Sequence, residues 1–380
     1  MKIAIDIRAA GGERAGKGNY AFSIVRNLLL KDSSNDYILY AREGVAGFSE
    51  FRNAKLKLIT GNGLLWHHRV ATDVKRQLVD VFFAPVSYII PSLLPRSIKT
   101  IITVHDLVAF LFPSRHQKKA VLIEKLFLRR AIRRATRVLA VSENTRQDIL
   151  KKFKTDPQKI LVIPCGVGPE FHELKKESLL PFAKKTNLPE KFFLAVGTLE
   201  PRKNYLNLIK AFALIAESFP TYHLIIVGQN GWHHEEVSHS IRNNYLTNRV
   251  HMLGYLSNSS LVQLYNLAKA LVFPSLYEGF GLPPLEAMAC GCPVITSNVS
   301  SLPEVVGNSG LFVDPKNPHQ IASAMIRVVK DAELCENLKN QGILRARKFS
   351  WESSAQKLLE IFSQLGRQKL SNIARSARLE

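Results

Sequence analysis

Cysteine is scarce in this sequence, and long apolar runs are missing from it. Only four cysteines occur among the 380 residues, none of them in a CxxC pair: Cys165, Cys290, Cys292 and Cys335. This pattern argues against a disulfide framework and a zinc site, and it fits a reducing compartment. The most apolar stretch, from Val81 to Ile90, is too short to span a bilayer. The first residues, MKIAIDIR, lack the features of a signal peptide, so we expect a cytoplasmic protein.

Acidic residues are also in short supply. The chain has 31 Asp and Glu against 52 Lys and Arg, which gives a formal net charge of +21. Such an excess predicts an anionic partner of some kind. A length of 380 residues exceeds one ordinary core, and two domains are the natural division.

Strand-like and helix-like segments alternate along the whole chain. The buried strand patterns run from KIAIDI to KILVIPCG in the first half and from KFFLAVGT to GLFVDP in the second, with a looser, linker-like stretch over residues 167–189. This alternation predicts an α/β fold with parallel sheets. We predict two Rossmann-like, doubly wound domains over residues 1–180 and 181–350. A carboxy-terminal helix and tail over residues 351–380 would cross back to the first domain.

Two glutamates flank a glycine loop in YEGFGLPPLEAMACGCPVITS. Glu278 follows the strand pattern LVFPS, and Glu286 is expected in the first turn of a short helix, where unpaired N–H groups stabilise a carboxylate. Both would lie at the carboxyl end of a sheet, where open α/β folds bind ligands.

A pair of cations precedes another helix in VGTLEPRKN. Arg202 and Lys203 project from a strand-to-helix loop in which Asn204 is expected to cap the helix, and they have the chemistry of a phosphate clamp. Loops beginning at Val227, Leu253 and Ser275 should open on the same crevice. Together these loops offer cations that can bind phosphates, backbone groups that can bind a base and carboxylates that can bind sugar hydroxyls. This combination indicates a nucleotide-sugar.

The first domain offers weaker signals. Gly16 and Gly18 lie in a glycine loop between a strand and a helix, where they would allow close approach of a phosphate or sugar. His105 and Asp106 follow a buried strand, at an end expected to face the cleft between domains.

The chain resembles the GT4 family of retaining glycosyltransferases, which have the GT-B fold of two Rossmann-like domains facing a central cleft. The likeness is most specific from Phe192 to Pro315, where Glu278 and Glu286 match the family's E-x7-E motif. The resemblance implies that Glu286 holds the ribose and that Glu278 contacts the donor sugar.

Further roles follow from the same resemblance. Arg202 and Lys203 match the pair that binds the diphosphate, and His105 matches a histidine near the reacting sugar. The remaining donor-binding positions are glycine-loop and backbone segments: Gly16, Gly18, Gly254, Tyr255, Leu256, Gly279, Phe280, Gly281 and Leu282. The family needs neither a metal nor a cofactor, and no Asp or His cluster here has metal-ligand spacing.

The likeness to the mannosyltransferase-like branch implies transfer of a hexose, expected to be mannose from GDP-mannose, with a UDP-sugar as the second choice of donor. The acceptor would be a glycan or a lipid-linked glycan in cell-surface polysaccharide synthesis. A sugar-nucleotide epimerase of the same architecture is an alternative, although the cation pair joined to E-x7-E favours transfer.

A basic segment from Arg115 to Arg137 explains part of the net charge. At helical spacing, Leu128, Ala131 and Ile132 fall on a core side, and the opposite side mixes Lys and Arg with leucines. That composition is typical of a helix that rests on an anionic membrane surface. A solvated basic face is the plainer alternative. A nucleic-acid-binding protein is disfavoured, because zinc-finger spacing and RNP-like aromatic patterns are missing.

Overall fold

The structure is a computed structural model that describes residues 1–12, 14, 16–113, 118–232 and 234–376. It divides into two compact units, which are described separately. The first comprises residues 1–166 and 350–380, and the second comprises residues 167–349. Residues 167–180, assigned to the first domain from the sequence, therefore fall in the second unit.

The strands form two sheets in which every pair of neighbours runs parallel. They are β1 (Lys2–Asp6), β2 (Asp36–Ala41), β3 (Ala54–Leu58), β4 (Val81–Ala84), β5 (Lys99–Val104), β6 (Arg137–Ala140), β7 (Ile160–Val162), β8 (Lys191–Val196), β9 (Tyr222–Val227), β10 (Val250–Met252), β11 (Ala270–Phe273), β12 (Val294–Ser297) and β13 (Gly310–Val313). The order is β3-β2-β1-β4-β5-β6-β7 in the first unit and β10-β9-β8-β11-β12-β13 in the second. The predicted pair of doubly wound α/β sheets is confirmed.

Helices connect the strands. They are α1 (Lys17–Lys31), α2 (Gly63–Arg76), α3 (Ile89–Leu93), α4 (Val108–Leu111), α5 (Lys118–Arg134), α6 (Glu143–Lys152), α7 (Lys176–Thr186), α8 (Tyr205–Ala216), α9 (His234–Asn243), α10 (Asn258–Leu267), α11 (Leu282–Ala289), α12 (Leu302–Val306), α13 (Pro318–Lys330), α14 (Ala332–Ala346) and α15 (Trp351–Ser376). In the described part of the chain, none of these helices is both long enough and apolar enough to traverse a bilayer.

The stretch predicted as a linker is ordered instead. Residues 167–189 contain α7, whose Leu179 is buried, and Glu170 accepts a hydrogen bond from Asn258 of α10 at 3.1 Å. The linker prediction was wrong because the polar segment contains a helix that buries Leu179 within the second unit.

The last helix packs on the first unit. Ser350 caps it by accepting the Ser353 backbone N–H at 3.1 Å, as its sequence position predicted. Trp351 is buried edge-on against Tyr20 of α1, with ring centres 5.6 Å apart. Gly166 lies so close that a Cβ there would be 2.2 Å from the Trp351 nitrogen. Tight backbone contact, rather than a loose tail, therefore fixes the start of α15.

Candidate active site

The loop after β8 places Arg202 and Lys203 at the carboxyl edge of the second sheet. The chain leaves β8 at Gly197, makes a short 3-10 turn over Pro201–Lys203 and enters α8 through Asn204, which has a left-handed backbone with φ of 63°. Asn204 does not cap α8 with its side chain, so that expectation was wrong. Its Nδ2 instead donates to the carbonyls of Pro274 at 2.9 Å and Pro315 at 2.6 Å. The asparagine thus ties this loop to the segments that follow β11 and β13.

Arg202 and Lys203 converge on a single carboxylate, that of Glu278. Arg202 Nη1 lies 2.7 Å from Oε2, and Lys203 Nζ lies 2.8 Å from Oε1. Ser275, just beyond β11, donates its hydroxyl to Oε1 at 2.6 Å. Arg202 also pairs with Glu200 through Nη2. Two cations and two carboxylates therefore form one network at the ends of β8 and β11.

The network is well shielded from water. Glu278 is 8% exposed, and the Lys203 side chain is 11% exposed. Burial alone would raise the pKa of Glu278, but the charges of Arg202 and Lys203, with the hydrogen bonds from Lys203 and Ser275, outweigh burial and lower that pKa to about 2. Glu278 is therefore ionised at neutral pH, and it offsets the repulsion between the two adjacent cations.

Glycines let Lys203 reach this position. A Cβ at Gly197, whose φ is 145°, would lie 3.0 Å from Lys203 Cε. A Cβ at Gly228, at the end of β9, would lie 2.0 Å from the Gly197 carbonyl oxygen. The ends of β8 and β9 consequently approach each other as backbone, and the lysine stem occupies the space above Gly197.

Glu286 lies one turn deeper in its helix than the sequence suggested. α11 begins at Leu282, directly after Gly281 with its φ of 119°, and Glu286 is therefore its fifth residue. The expectation of a first-turn position was wrong because the helix starts before its two prolines, which lack N–H groups and fit the unbonded first turn.

The surroundings of Glu286 also differ from those expected at a helix start. Its Oε2 accepts the hydroxyl of Tyr265, in α10, at 2.9 Å. Burial raises the pKa of Glu286 to about 7. Glu170 also raises that pKa, whereas the Tyr265 hydrogen bond and Lys203 lower it. The two glutamates of the E-x7-E motif therefore have opposite electrostatic environments. Glu278 is paired with two cations, whereas Glu286 is buried and has the Tyr265 hydroxyl as its hydrogen-bond partner.

Hydroxyl groups hold the glycine loop between the two glutamates. Ser300 accepts the Glu278 backbone N–H at 3.0 Å, and Ser301 donates to the Glu278 and Phe280 carbonyls at 3.0 and 2.6 Å. A Cβ at Gly281 would meet Leu302 at 2.9 Å. Phe280 is buried against Phe349, so its ring belongs to the core. The predicted donor-binding stretch, Gly279, Phe280, Gly281 and Leu282, can thus offer backbone groups on a rigid support.

The loop after β10 belongs to the same edge of the second sheet. Gly254 has a φ of 69°, and its carbonyl accepts the Gly228 N–H at 2.8 Å. Tyr255 is 38% exposed, and Leu256 is partly buried. Contacts through Gly228 and Gly197 therefore link this loop to Lys203. The structure brings the predicted second-unit residues to one edge. The sequence indicated Ser275 only as the start of a loop, and it gave no sign of Tyr265, Ser300 and Ser301, whose residue types carry no distinctive signal.

The remaining predicted residues belong to the first unit. Gly16 starts α1 with a φ of 34° and open space where a Cβ would stand. A Cβ at Gly18 would meet the Ala9 carbonyl at 2.8 Å, so this glycine serves internal packing. His105 is buried, and because a carbonyl can only accept, its Nε2–H donates to Pro85 at 2.7 Å. Burial chiefly lowers the pKa of His105 to about 4, so the imidazole is neutral.

Family models match both halves of the chain. The model described as glycosyl transferases group 1 matches residues 176–345, and the model described as glycosyltransferase family 4 matches residues 47–171. Among curated proteins, the O-antigen chain mannosyltransferase B of Escherichia coli is 32% identical over 303 residues, which cover 79% of each chain. The serotype-specific mannosyltransferase WbdA of the same species is 33% identical over 273 residues, and the match spans 34% of its length.

Solved structures agree on the fold. The Anabaena protein HepE in complex with UDP-glucose has a TM-score of 0.79 and 18% sequence identity, with 96% of this chain and all of that chain covered. None of these comparisons supports the epimerase alternative. The two parallel sheets, the site at the edge of the second sheet and the matched family models lead to one conclusion: the chain belongs to glycosyltransferase family 4 and is a glycosyltransferase with the GT-B fold.

Proposed function

We propose that this glycosyltransferase transfers mannose from GDP-mannose to a glycan or lipid-linked acceptor in cell-surface polysaccharide synthesis. The observation that carries the proposal is the convergence of Arg202, Lys203 and Glu278 at the ends of β8 and β11. The choice of mannose is supported by the O-antigen chain mannosyltransferase B, which is similar over most of its length.

The cation pair would receive the diphosphate of the donor. Arg202 offers a planar fork and Lys203 a point charge, both fixed by Glu278 before any ligand binds. As the bond between the anomeric carbon and the phosphate oxygen breaks, negative charge grows on the leaving diphosphate. Fixed cations in a shielded site stabilise that charge by roughly 3 kcal/mol per well-aimed donor.

The geometry of transfer would retain the anomeric configuration. The acceptor oxygen attacks from the face that the diphosphate leaves, the new bond to the anomeric carbon forms, and the acceptor proton passes to an oxygen of the leaving phosphate. The route needs no protein nucleophile and no metal. Glu278 would contact the donor sugar from beside the phosphates, and the Gly279–Leu282 backbone would bind its hydroxyls.

The nucleoside would lie between the loop after β10 and α11. Glu286 would accept hydrogen bonds from the ribose hydroxyls, held in place by Tyr265. The turn of Gly254, Tyr255 and Leu256 would contact the base. His105 remains a prediction from the family resemblance, for a role near the reacting sugar. Gly16 and Gly18 remain predicted positions of close approach to a phosphate or sugar.

The donor is tested by direct transfer. The purified protein is incubated with acceptor glycan and GDP-mannose, UDP-glucose or ADP-glucose, and the masses of the products are measured by mass spectrometry. We expect a mass increase of one hexose with GDP-mannose, and much slower formation of that product with Lys203→Ala. Transfer from UDP-glucose but not from GDP-mannose would show that the donor is the UDP-sugar. Conversion of the donor without any transfer to the acceptor would refute transferase activity.

We further propose that α5 places the enzyme on an anionic membrane, at the cytoplasmic face. Leu128, Ala131 and Ile132 of α5 are buried, as predicted. The predicted first residue of the segment, Arg115, lies outside the described residues. On the opposite side, Leu122 and Leu126 are exposed by 60% and 61%.

Exposed cations accompany these leucines at helical spacing, namely Lys125, Arg129 and Arg133. Arg130 and Arg134 are instead anchored to the carbonyls of Ser92 and Leu94, so they hold α5 to the fold. Exposed leucine side chains next to cations are suited to the boundary between the lipid headgroups and the acyl chains of a membrane.

Vesicle sedimentation tests the membrane contact. Leu126→Gln should weaken binding to vesicles with anionic lipid about tenfold, because one fully buried leucine contributes on the order of 2 kcal/mol. The matched control is Leu214→Gln, which alters a leucine of the second unit that is 51% exposed. Equal binding by both variants, or no binding of the wild type at physiological salt, would refute the contact.

A further inference from the structure

Two arginines lie side by side at the carboxyl edge of the first sheet. Asp6 of β1 pairs in register with Tyr40 of β2, and Arg8 and Arg42 each lie two residues beyond that pair. Both guanidinium carbons lie within 6 Å of the centre of the Trp66 ring, at 4.8 and 5.6 Å. Neither guanidinium lies within ion-pair distance of a carboxylate among the residues that the structure describes. Burial raises the pKa of Asp6 above its ordinary value and outweighs both arginines, which lower that pKa. Two neighbouring cations with no carboxylate in close contact among the described residues favour a bound anion.

The histidine beside them is neutral and oriented. Arg8 Nη1 lies 2.9 Å from His67 Nε2, and because a guanidinium can only donate, Nε2 is the acceptor and the proton resides on Nδ1. Burial lowers the pKa of His67 to about 3, and Arg8 and Arg42 contribute in the same direction. His67 therefore adds no positive charge, and it fixes the direction of Arg8.

Two buried N–H donors of this cluster have no acceptor within the described parts of the chain. They are Nδ1 of His67 and Nε1 of Trp66, and both side chains are almost completely buried. Asp6 accepts the Arg8 backbone N–H at 3.1 Å instead. Unsatisfied buried donors are uncommon, and a site that takes a ligand explains them.

We propose that this cluster is a second anion site of the protein, which takes a phosphate group of the acceptor. Its members, called here the first-unit anion site, are Arg8, Arg42, Trp66 and His67. The site belongs to the first unit, whereas the donor-binding residues Arg202 and Lys203 belong to the second. Binding of the phosphate is independent of the function proposed above; only its role as part of the acceptor rests on that function.

The phosphate could come from a soluble sugar phosphate or from a lipid diphosphate. Leu64 and Leu65, which immediately precede Trp66, are exposed by 60% and 54%. They offer apolar surface next to the cations, so a lipid diphosphate would gain from the leucines and a soluble phosphate would not.

The Trp66 indole provides a readout at the site itself. In the full-length protein labelled with nitrogen-15 at tryptophan, inorganic pyrophosphate should shift the Trp66 Nε1–H resonance saturably and leave that of Trp351, at the start of α15, in place. Trp66→Phe assigns the signal. Arg42→Gln, at an exposed side chain, should weaken the apparent affinity about tenfold.

The matched control is Arg52→Gln, an exposed arginine just before β3, at the opposite edge of the same sheet. It removes the same charge and should leave the titration unchanged. Equal weakening by both variants would show only diffuse attraction to a basic protein, and an unmoved Trp66 signal would show no binding; either result overturns the proposal. Because the readout needs no transfer, it stands or falls separately from the proposed function.

A second titration separates the two sources of phosphate. If the natural ligand is a lipid diphosphate, farnesyl diphosphate should bind more tightly than pyrophosphate, and Leu65→Asn should abolish the difference. If it is a soluble phosphate, glucose 1-phosphate should compete with pyrophosphate, and Leu65→Asn should have no effect. Failure of both compounds to move the Trp66 signal overturns the acceptor role.

Discussion

Replacement of Glu286 by glutamine should stabilise the second unit while weakening its ligand binding. Burial raises the pKa of Glu286 from 4.5 to about 7, with Glu170 adding to burial while Tyr265 and Lys203 oppose it. Because the folded pKa lies above the unfolded one, the stability contributed by the protonated carboxyl is fully present below pH 4.5. It is lost as the pH rises through 7. The difference corresponds to about 3 kcal/mol.

Glutamine cannot ionise, but it keeps an oxygen that accepts the Tyr265 hydroxyl. Glu286→Gln should therefore match the wild type near pH 4.5 and exceed its free energy of unfolding by about 3 kcal/mol above pH 8. Urea denaturation followed by fluorescence of Trp232, the only tryptophan among residues 167–349, measures this difference. The control is Glu217→Gln, at an exposed position after α8, which should show no such dependence on pH.

The same variant should bind GDP about tenfold more weakly, because hydrogen bonds from ribose hydroxyls to a carboxylate are stronger than those to an amide. Calorimetric titration at pH 8 measures the loss. A stability difference that stays constant between pH 4.5 and 8 would refute the raised pKa that burial gives Glu286. Undiminished GDP affinity would refute its contact with the ribose.

Three further substitutions test the packing and charge of the two units. Lys203→Ala should lower the turnover number about a hundredfold or more, because it removes a cation at the leaving diphosphate. Lys210→Ala, at an exposed lysine, should leave the turnover number unchanged. Equal rates for the two variants in steady-state transfer kinetics would contradict the role of Lys203 at the diphosphate. Gly18→Ala should destabilise the first unit by about 1 to 3 kcal/mol in urea, because its Cβ would lie 2.8 Å from the Ala9 carbonyl, and wild-type stability would disprove that contact. Ser275→Ala should cost about 1 to 2 kcal/mol of unfolding free energy in the second unit by removing a 2.6 Å hydrogen bond to Glu278, and an unchanged denaturation midpoint would contradict it.

The sequence predicted the fold well because both sheets are built from buried, parallel strands. Such strands appear as apolar runs separated by helix patterns, and this signal is local. The failures were also local in origin. α7 was overlooked because its few apolar residues gave a weak helical pattern. The start of α11 at Leu282 was misplaced because Pro283 and Pro284 are compatible with more than one first residue of the helix.

The candidate site was predicted in its members but not in its pairing. Loop position at the carboxyl edge indicated that Arg202, Lys203 and Glu278 would meet. The sequence could not show that one carboxylate serves both cations, since that depends on the approach of β8 and β9 through Gly197 and Gly228. The hydrogen bond to Glu286 likewise comes from Tyr265, on a different helix, and sequence spacing does not indicate it.

The proposed function depends on the binding of a diphosphate by Arg202 and Lys203. Calorimetric affinities of GDP and guanosine, measured for wild type, Lys203→Ala and Lys210→Ala, isolate the contribution of the phosphates. The wild type and Lys210→Ala should bind GDP at least about a hundredfold more tightly than guanosine, and Lys203→Ala should lose most of that preference. A preference for GDP that is unchanged in Lys203→Ala would contradict diphosphate binding by this cation pair.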